Sequence, residues 1–311
     1  SSFNGSLANF FSLESANGAC NYIGTLNDQF LVAIQENKMS VVPVNKNILQ
    51  QSQGGNLAAL STKVLNDPRY YIGDYGCGNN PESVLIRDGQ VFFVDASRSA
   101  VCRFTTEGIS AISDKGVSSL FRDELADFTA QGGTRIVSGY DPRYDHYYVT
   151  LRPTGTFNGL TLGYARGIAQ GGAWQSRYTF FPDMYSNQND MMYSAVYRNP
   201  EGDDNATIFY SHDNAVRNSF YGDDAAPSIV QVVSNNNPSM TKVFNAVSLE
   251  GDSANWVADP IVTDLNSSAQ SLEFIEKEGS YYSFITRDEN GTKHITGVGR
   301  VASLGSGADT I

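Results

Sequence analysis

The shortness of the turns between Ser83 and Ser113 constrains this chain more than any other feature. Four runs, Ser83–Arg87, Gln90–Asp95, Ala100–Phe104 and Ile109–Ser113, alternate Val, Ile and Phe with polar residues. The first two are joined by Asp88-Gly89, a pair that tolerates the positive φ angles of a two-residue hairpin. Ala96-Ser97-Arg98-Ser99 and Glu107-Gly108 make the other two turns. None can hold a crossover helix, so the runs must be sequential antiparallel neighbours in one sheet. Such a sheet leaves apolar side chains on its faces and has to stack on others, as propeller blades or sandwich sheets do.

The remaining composition agrees with an all-β chain. There are 17 Tyr, 17 Phe and 29 Gly among 311 residues, with aromatics suiting pleated surfaces and glycine suiting turns. Net charge is −12, with the basic residues dispersed, which argues against wrapping nucleic acid because phosphate binding needs clustered cations. Cys20, Cys77 and Cys102 are too few and too scattered for a disulfide framework. A buried free thiol is expected at Cys102, with a Cys77–Cys102 bridge left open. No apolar run approaches the roughly 18 residues that would span a bilayer. No charged-then-apolar leader opens the chain, which starts at Ser1 without methionine, as a processed product or part of a longer protein would.

Read in order, residues 1–20 form a polar arm around Phe3, Phe10 and Phe11. Residues 21–296 then repeat meanders. Asn21–Thr25, Phe30–Gln35 and Met39–Val44 make the first, followed by an excursion with an expected helix at Leu57–Leu65. After the central meander, Val117, Leu120, Phe121, Leu125 and Phe128 recur at helical spacing, which predicts a helix over Gly116–Ala130 packed on the β core. Arg135–Tyr140, His146–Leu151, Leu160–Tyr164 and Trp174–Phe180 make a third meander. Met191–Tyr197, Thr207–Ser211, Ser219–Tyr221 and Ile229–Val233 make a fourth, and Val243–Glu250, Trp256–Thr263, Leu272–Ile275 and Tyr281–Thr286 a fifth. The repeat of roughly 40 to 60 residues fits propeller blades. The expected fold is therefore a β-propeller of four-stranded antiparallel meanders with one or two short helical insertions. Residues 297–311, small and Gly/Ser-rich, read as a linker or a strand given to another domain.

Catalytic patterns are absent from the sequence. His146, His212 and His294 fall in different meanders without metal-ligand spacing, and no nucleophile elbow, phosphate-binding loop or zinc-protease motif occurs. The glycines at Gly73–Gly78 and Gly167–Gly172 lack the strand-then-helix context of a phosphate cradle. Asp203-Asp204, Asp223-Asp224 and the Asp141/Asp145 pair read as turn acids. Adjacent aspartates supply neither the opposed carboxylates of a glycosidase nor the converging oxygens of a calcium site. The expectation is a non-enzyme without a cofactor, with structural calcium left open and a glycan-degrading enzyme as a distant competitor. Tyr144, Tyr147 and Tyr148 could offer flat faces to a carbohydrate, although strand alternation puts one of the last two in the core. The candidate interaction residues are Tyr144, Tyr185, Asp203, Asp204, Asp223 and Asp224.

Longer motifs carry a resemblance. They are Gly73-Asp74-Tyr75-Gly76-Cys77 running into Asn80-Pro81-Glu82-Ser83, Val91-Phe92-Phe93-Val94-Asp95 with Arg98, Phe121-Arg122, and Gly139-Tyr140-Asp141 with Tyr147-Tyr148-Val149. Further on come Trp174 ahead of Tyr178-Thr179-Phe180-Phe181-Pro182-Asp183, Arg217-Asn218-Ser219-Phe220-Tyr221-Gly222, Lys242-Val243-Phe244-Asn245 and Glu276-Lys277-Glu278-Gly279-Ser280-Tyr281-Tyr282. In order and spacing, over Leu31 to Val301, the chain resembles the β-propeller virion proteins of tailed bacteriophages, the tail nozzle, muzzle and stabilisation proteins of crAss-like and marine phages. The resemblance implies a structural virion role in the phage tail, with no catalytic residues. It also implies other virion tail proteins as partners, a symmetric homo-oligomer, and neither sequence-specific nucleic acid binding nor membrane insertion. A receptor- or carbohydrate-binding propeller of a fibre or baseplate is the alternative.

Overall fold

The computed structural model describes residues 12–50, 56–168, 171–198, 206–213, 218–223, 226–232, 236–237, 239–251, 256–261, 272–284, 295–297 and 302–305. The chain divides into two compact units, Ser1–Asp213 and Asn214–Ile311. Residues 1–11 of the expected arm lie outside the described residues.

The first unit is built from sheets that follow one another along the chain. β1 (Cys20–Leu26), β2 (Phe30–Gln35), β3 (Met39–Gln50) and β4 (Asn56–Leu65) pair in that order, with β5 (Arg69–Tyr70) against β3 at Ser40 and Val41. β6 (Leu85–Arg87), β7 (Gln90–Asp95), β8 (Ala100–Thr105) and β9 (Gly108–Ala111) form the second sheet. Its first turn has the predicted chemistry, with Asp88 and Gly89 at φ +50° and +71°, the left-handed pair of a tight hairpin. The helix α1 (Ser118–Ala130) follows. β10 (Ile136–Asp141), β11 (His146–Leu151), β12 (Leu160–Ala165) and β13 (Ala173–Tyr178) form the third sheet. The fourth has β14 (Met184–Gln188), β15 (Met191–Arg198) and β16 (Ala206–Ser211).

These sheets stack because the central strands are apolar on both sides. In β7, Val91 and Phe93 join Val32, Ile34 and Met39 of the first sheet in one core, which also takes Cys77, Cys102 and Phe104. From the same strand Phe92 and Val94 face the other way, into a core with Tyr147, Val149, Leu151, Leu160 and Tyr164 of the third sheet. Phe121, Leu125 and Phe128 of α1 complete this second core, as their spacing predicted. All three cysteines are free, with Cys77 and Cys102 buried and Cys20 exposed. Burial raises both buried thiols, Cys77 to about 12, so neither ionises at neutral pH.

Three expectations need correction. Leu57–Leu65 is a strand, not a helix: Leu57, Ala58 and Ala59 pair with Leu49, Ile48 and Asn47. Apolar spacing over one or two turns is ambiguous, and a partner that supplies every other backbone hydrogen bond overrides weak propensity. The fourth meander gains β14, which sequence reading missed, and loses both Ser219–Tyr221 and residues 229–232, which pair in a sheet of the second unit. Asn218 and Tyr221 sit at φ +57°, and no strand continues through such residues. Instead Asn218 Nδ2 donates to Ser228 Oγ (2.7 Å), and the Ala226 amide donates to the Asn218 carbonyl (2.8 Å), closing a turn.

The fifth set is not a meander either. In the second unit, β17 (Ile229–Val232), β18 (Lys242–Phe244), β19 (Ala246–Leu249), β20 (Val257–Ile261), β21 (Leu272–Glu273), β22 (Ile275–Lys277), β23 (Ser280–Phe284), β24 (Ile295–Gly297) and β25 (Ala302–Gly305) pair out of sequence. Their sheets run β17-β25-β20-β21, β18-β24 and β19-β23-β22. The segment expected as a linker or donated strand thus contains β25, held between β17 and β20.

Candidate interaction surfaces

Turns at one end of the second and third sheets are tied by a charged clasp. Asp88 lies in the β6–β7 turn and Asp145, at φ +55°, in the β10–β11 turn. Arg166, just past β12, donates Nε to Asp145 Oδ1 (2.5 Å) and Nη2 to Asp88 Oδ2 (2.7 Å). Tyr140 is the centre of the cluster. Its hydroxyl accepts from Arg166 Nη2 (2.9 Å) and donates to Asp145 (2.7 Å), while Arg87 and Arg166 lie 5.1 and 4.9 Å from its ring centroid. Burial opposes the charge on Arg166, but its bonds to Asp88 and Asp145 raise its pKa. Two turns are thereby fixed as one surface. Sequence carried no signal for this, since Arg166 and Asp88 are far apart and the Asp88-Gly89 pair speaks only for its own turn.

Tyr144 stands on this surface, 53% exposed, beside Arg143, which pairs with Asp213 at 2.5 Å. Tyr185 does something different. It lies half-buried across Gly139, where an added Cβ would come within 2.3 Å of its ring. Its hydroxyl is 2.7 Å from Thr150 Oγ1, which is 2.9 Å from Thr161 Oγ1, which donates to the Phe180 carbonyl (2.5 Å). This chain of hydroxyls accounts for two fully buried threonines and joins the third sheet to the fourth. Tyr144 and Tyr185 therefore do not stand together as an exposed platform, and Tyr147 and Tyr148 are both buried.

A Ser–His pair also emerges that sequence spacing did not suggest. Ser194 Oγ, on β15, and His212 Nε2, just past β16, are 2.7 Å apart. A nucleophile and base at this distance could open acyl-transfer chemistry. Here Ser194 is 2% exposed, and the Phe180 and Tyr210 rings flank the imidazole at 5.0 and 5.1 Å. The geometry is that of a packed cross-strand contact within the fourth sheet, with the serine buried.

Burial drops the His212 imidazole to about 4, from 6.5. The unfolded chain therefore binds a proton between these values that the folded chain does not. The stability contribution is complete above pH 6.5 and is lost as pH falls through 4. By pH 5 the loss from this group should be about 2 kcal/mol. His146, also lowered by burial, acts with the same sign. Denaturant unfolding at pH 7 and pH 5 checks the expectation. His212→Gln keeps a polar partner for Ser194 and should lose this share of the pH dependence; an unchanged slope would assign the acid sensitivity to other groups.

Of the acids, Asp223 is exposed, in the turn where Ser219 donates Oγ to its carbonyl (2.6 Å). Asp203, Asp204, Asp224 and His294 lie outside the described residues. Asp141 is buried at a turn, accepting from the Arg143 amide (2.9 Å), and Asp145 is engaged in the clasp. Among the described residues no three His, Cys, Asp or Glu side chains converge on a point that could hold a metal ion. No described helix is long and apolar enough to cross a membrane.

The Crassvirus muzzle protein family matches residues 4–199, and the Crassvirus muzzle protein C-terminal domain matches residues 215–288. The break between these matches lies near the boundary of the two compact units. No curated protein matches the chain.

Proposed function

The chain belongs to the Crassvirus muzzle protein family, and on that footing we propose that it is a structural component of a tailed-phage virion. It acts as a scaffold through protein–protein contacts at the tail, as a nozzle, muzzle or tail-tip part, in a symmetric homo-oligomer with other virion tail proteins. The observation that carries this is the match of both family descriptions, in order, along one chain.

Physical support comes from the first unit. Consecutive meanders stack in chain order, the second and third with both faces packed, as blades in a propeller do, and this supports a propeller architecture. Such a core resists shear, while turns such as those joined by Arg166 stay at the surface to meet neighbours. A net charge of −12 keeps a tail component from adhering to passing DNA, since like charges repel.

Cryo-electron microscopy of intact particles is the test, with the chain placed in the density. A closed ring on the tail axis is expected. Absence from purified particles would overturn the reading, and a position at peripheral fibre tips would replace it with receptor binding.

A further inference from the structure

Asn80, in the loop that leads into the second sheet, has a side chain the fold does not use. It stands at the N-cap position of the short 3-10 helix Pro81–Ser83, where an asparagine carboxamide ordinarily accepts from a helix amide. Here it makes no such bond. The Ser83 amide and hydroxyl donate instead to the Asn80 backbone carbonyl, at 3.1 and 2.7 Å. Asn80 is 8% exposed, yet among the described residues its carboxamide has no hydrogen-bond partner, and it is not sealed from solvent either. A polar group buried without a partner costs about 1–3 kcal/mol. A partner from outside the chain would account for this one.

The space for such a partner is present. A cleft of about 440 Å³ opens beside Asn80, walled by Glu36 and Asn37 of the β2–β3 turn, by Asn79, by the β7–β8 turn and by the C-terminal end of α1. Asn37 and Asn79 are exposed, and neither side chain bonds within the described chain. The half-buried Glu36 carboxylate likewise makes no ion pair or hydrogen bond there. No described Lys or Arg lines the cleft, and its one aromatic, Phe128, is 2% exposed.

This inventory selects a class of ligand. Without a cation the cleft has no charged donor for a phosphate or carboxylate. With so little apolar wall it has no grip on an aliphatic chain, whose binding scales with the apolar area buried. Each carboxamide offers two donors and an acceptor oxygen, and the carboxylate accepts. That set matches adjacent hydroxyls, which donate and accept together. The volume falls within the range of about 300–1,000 Å³ usual for small-ligand pockets. We infer that this cleft binds a neutral saccharide, with Asn80 as the buried anchor and Glu36, Asn37 and Asn79 around it. The site adds a ligand to the scaffold role and does not depend on it.

Saturation-transfer difference NMR on the purified full chain is the test. The probes are maltose, cellobiose, lactose and N,N′-diacetylchitobiose, with the neutral tripeptide Gly-Ser-Gly for comparison. Transfer to at least one disaccharide is expected at millimolar concentration. Asn80→Ala should weaken that binding about fivefold to tenfold, the worth of one hydrogen bond, with an unchanged unfolding midpoint because the carboxamide bonds nothing in the fold. Asn79→Ala, at an exposed position, should weaken it as well. Asn158→Ala, exposed and outside the cleft, should leave it unchanged. Silence from all of the disaccharides, transfer to the tripeptide alone, or variants at Asn79 and Asn80 that bind as the parent does would overturn the site. So would a lowered midpoint in Asn80→Ala, which would return the carboxamide to the fold.

Discussion

Replacing Phe92 by alanine should destabilise the chain by about 3–5 kcal/mol, the cost of removing a large buried aromatic and leaving a cavity. Phe92 is fully buried in the strand that separates two cores, and its ring stacks on Tyr147 at 4.5 Å between centroids and 19° between planes. Tyr147 cannot follow into the gap, because its hydroxyl is held 2.9 Å from Ser138 Oγ. Neighbours that cannot collapse make the cavity cost large. Denaturant unfolding measures it, with Tyr144→Ala as the exposed comparison, expected to change stability by under about 0.5 kcal/mol. A Phe92→Ala loss below about 1 kcal/mol would show that the second and third sheets are not packed on each other as described.

Asp95→Ala should cost about 1–3 kcal/mol by a different route, leaving the buried Gly76 amide without its acceptor and the exposed Arg98 without its partner. This carboxylate is completely buried at the end of β7. Its Oδ1 accepts from Ser97 Oγ (3.0 Å) and the Arg98 amide (3.1 Å), and its Oδ2 from the Gly76 amide and Arg98 Nη1, both at 3.1 Å. One side chain thus sets the β7–β8 turn and anchors the Gly73–Gly78 loop. That loop lies hard against the end of β2, with the Cys77 and Gly78 amides donating to the Gln35 and Glu36 carbonyls at 3.3 and 3.1 Å. A Cβ at Gly76 would sit 2.3 Å from the Glu36 carbonyl oxygen, so only glycine fits there. Asp95→Asn keeps the shape but turns one acceptor into a donor, and should lose about half as much. If Asp95→Ala and Asp95→Asn were both near neutral, the carboxylate would not be what holds the loop.

The glycines of Gly73–Gly78 show how far motif reading reaches. Sequence alone identified them as turn glycines without a phosphate role. It could not show that Gly76 is required by the Glu36 backbone, a contact between segments some forty residues apart in the chain. Tyr185 is the converse case. Its residue type suggested a binding face, while its position across Gly139 makes it a strut between sheets.

Sequence by itself determined the second and third sheets and α1 nearly to their ends. There the signals are local: Asp88-Gly89 chooses a hairpin, β7 alternates between two apolar faces, and Leu125 and Phe128 share one helical stripe. It also carried the family resemblance that the matches to residues 4–199 and 215–288 bear out. Tertiary structure alone decided that 56–65 is a strand, that β25 lies between β17 and β20, and that Arg166 joins Asp88 to Asp145. Each depends on a partner remote in sequence. Local propensity amounts to a few tenths of a kcal/mol per residue, and a hydrogen-bonded neighbour outweighs it only once the chain has brought the partners together.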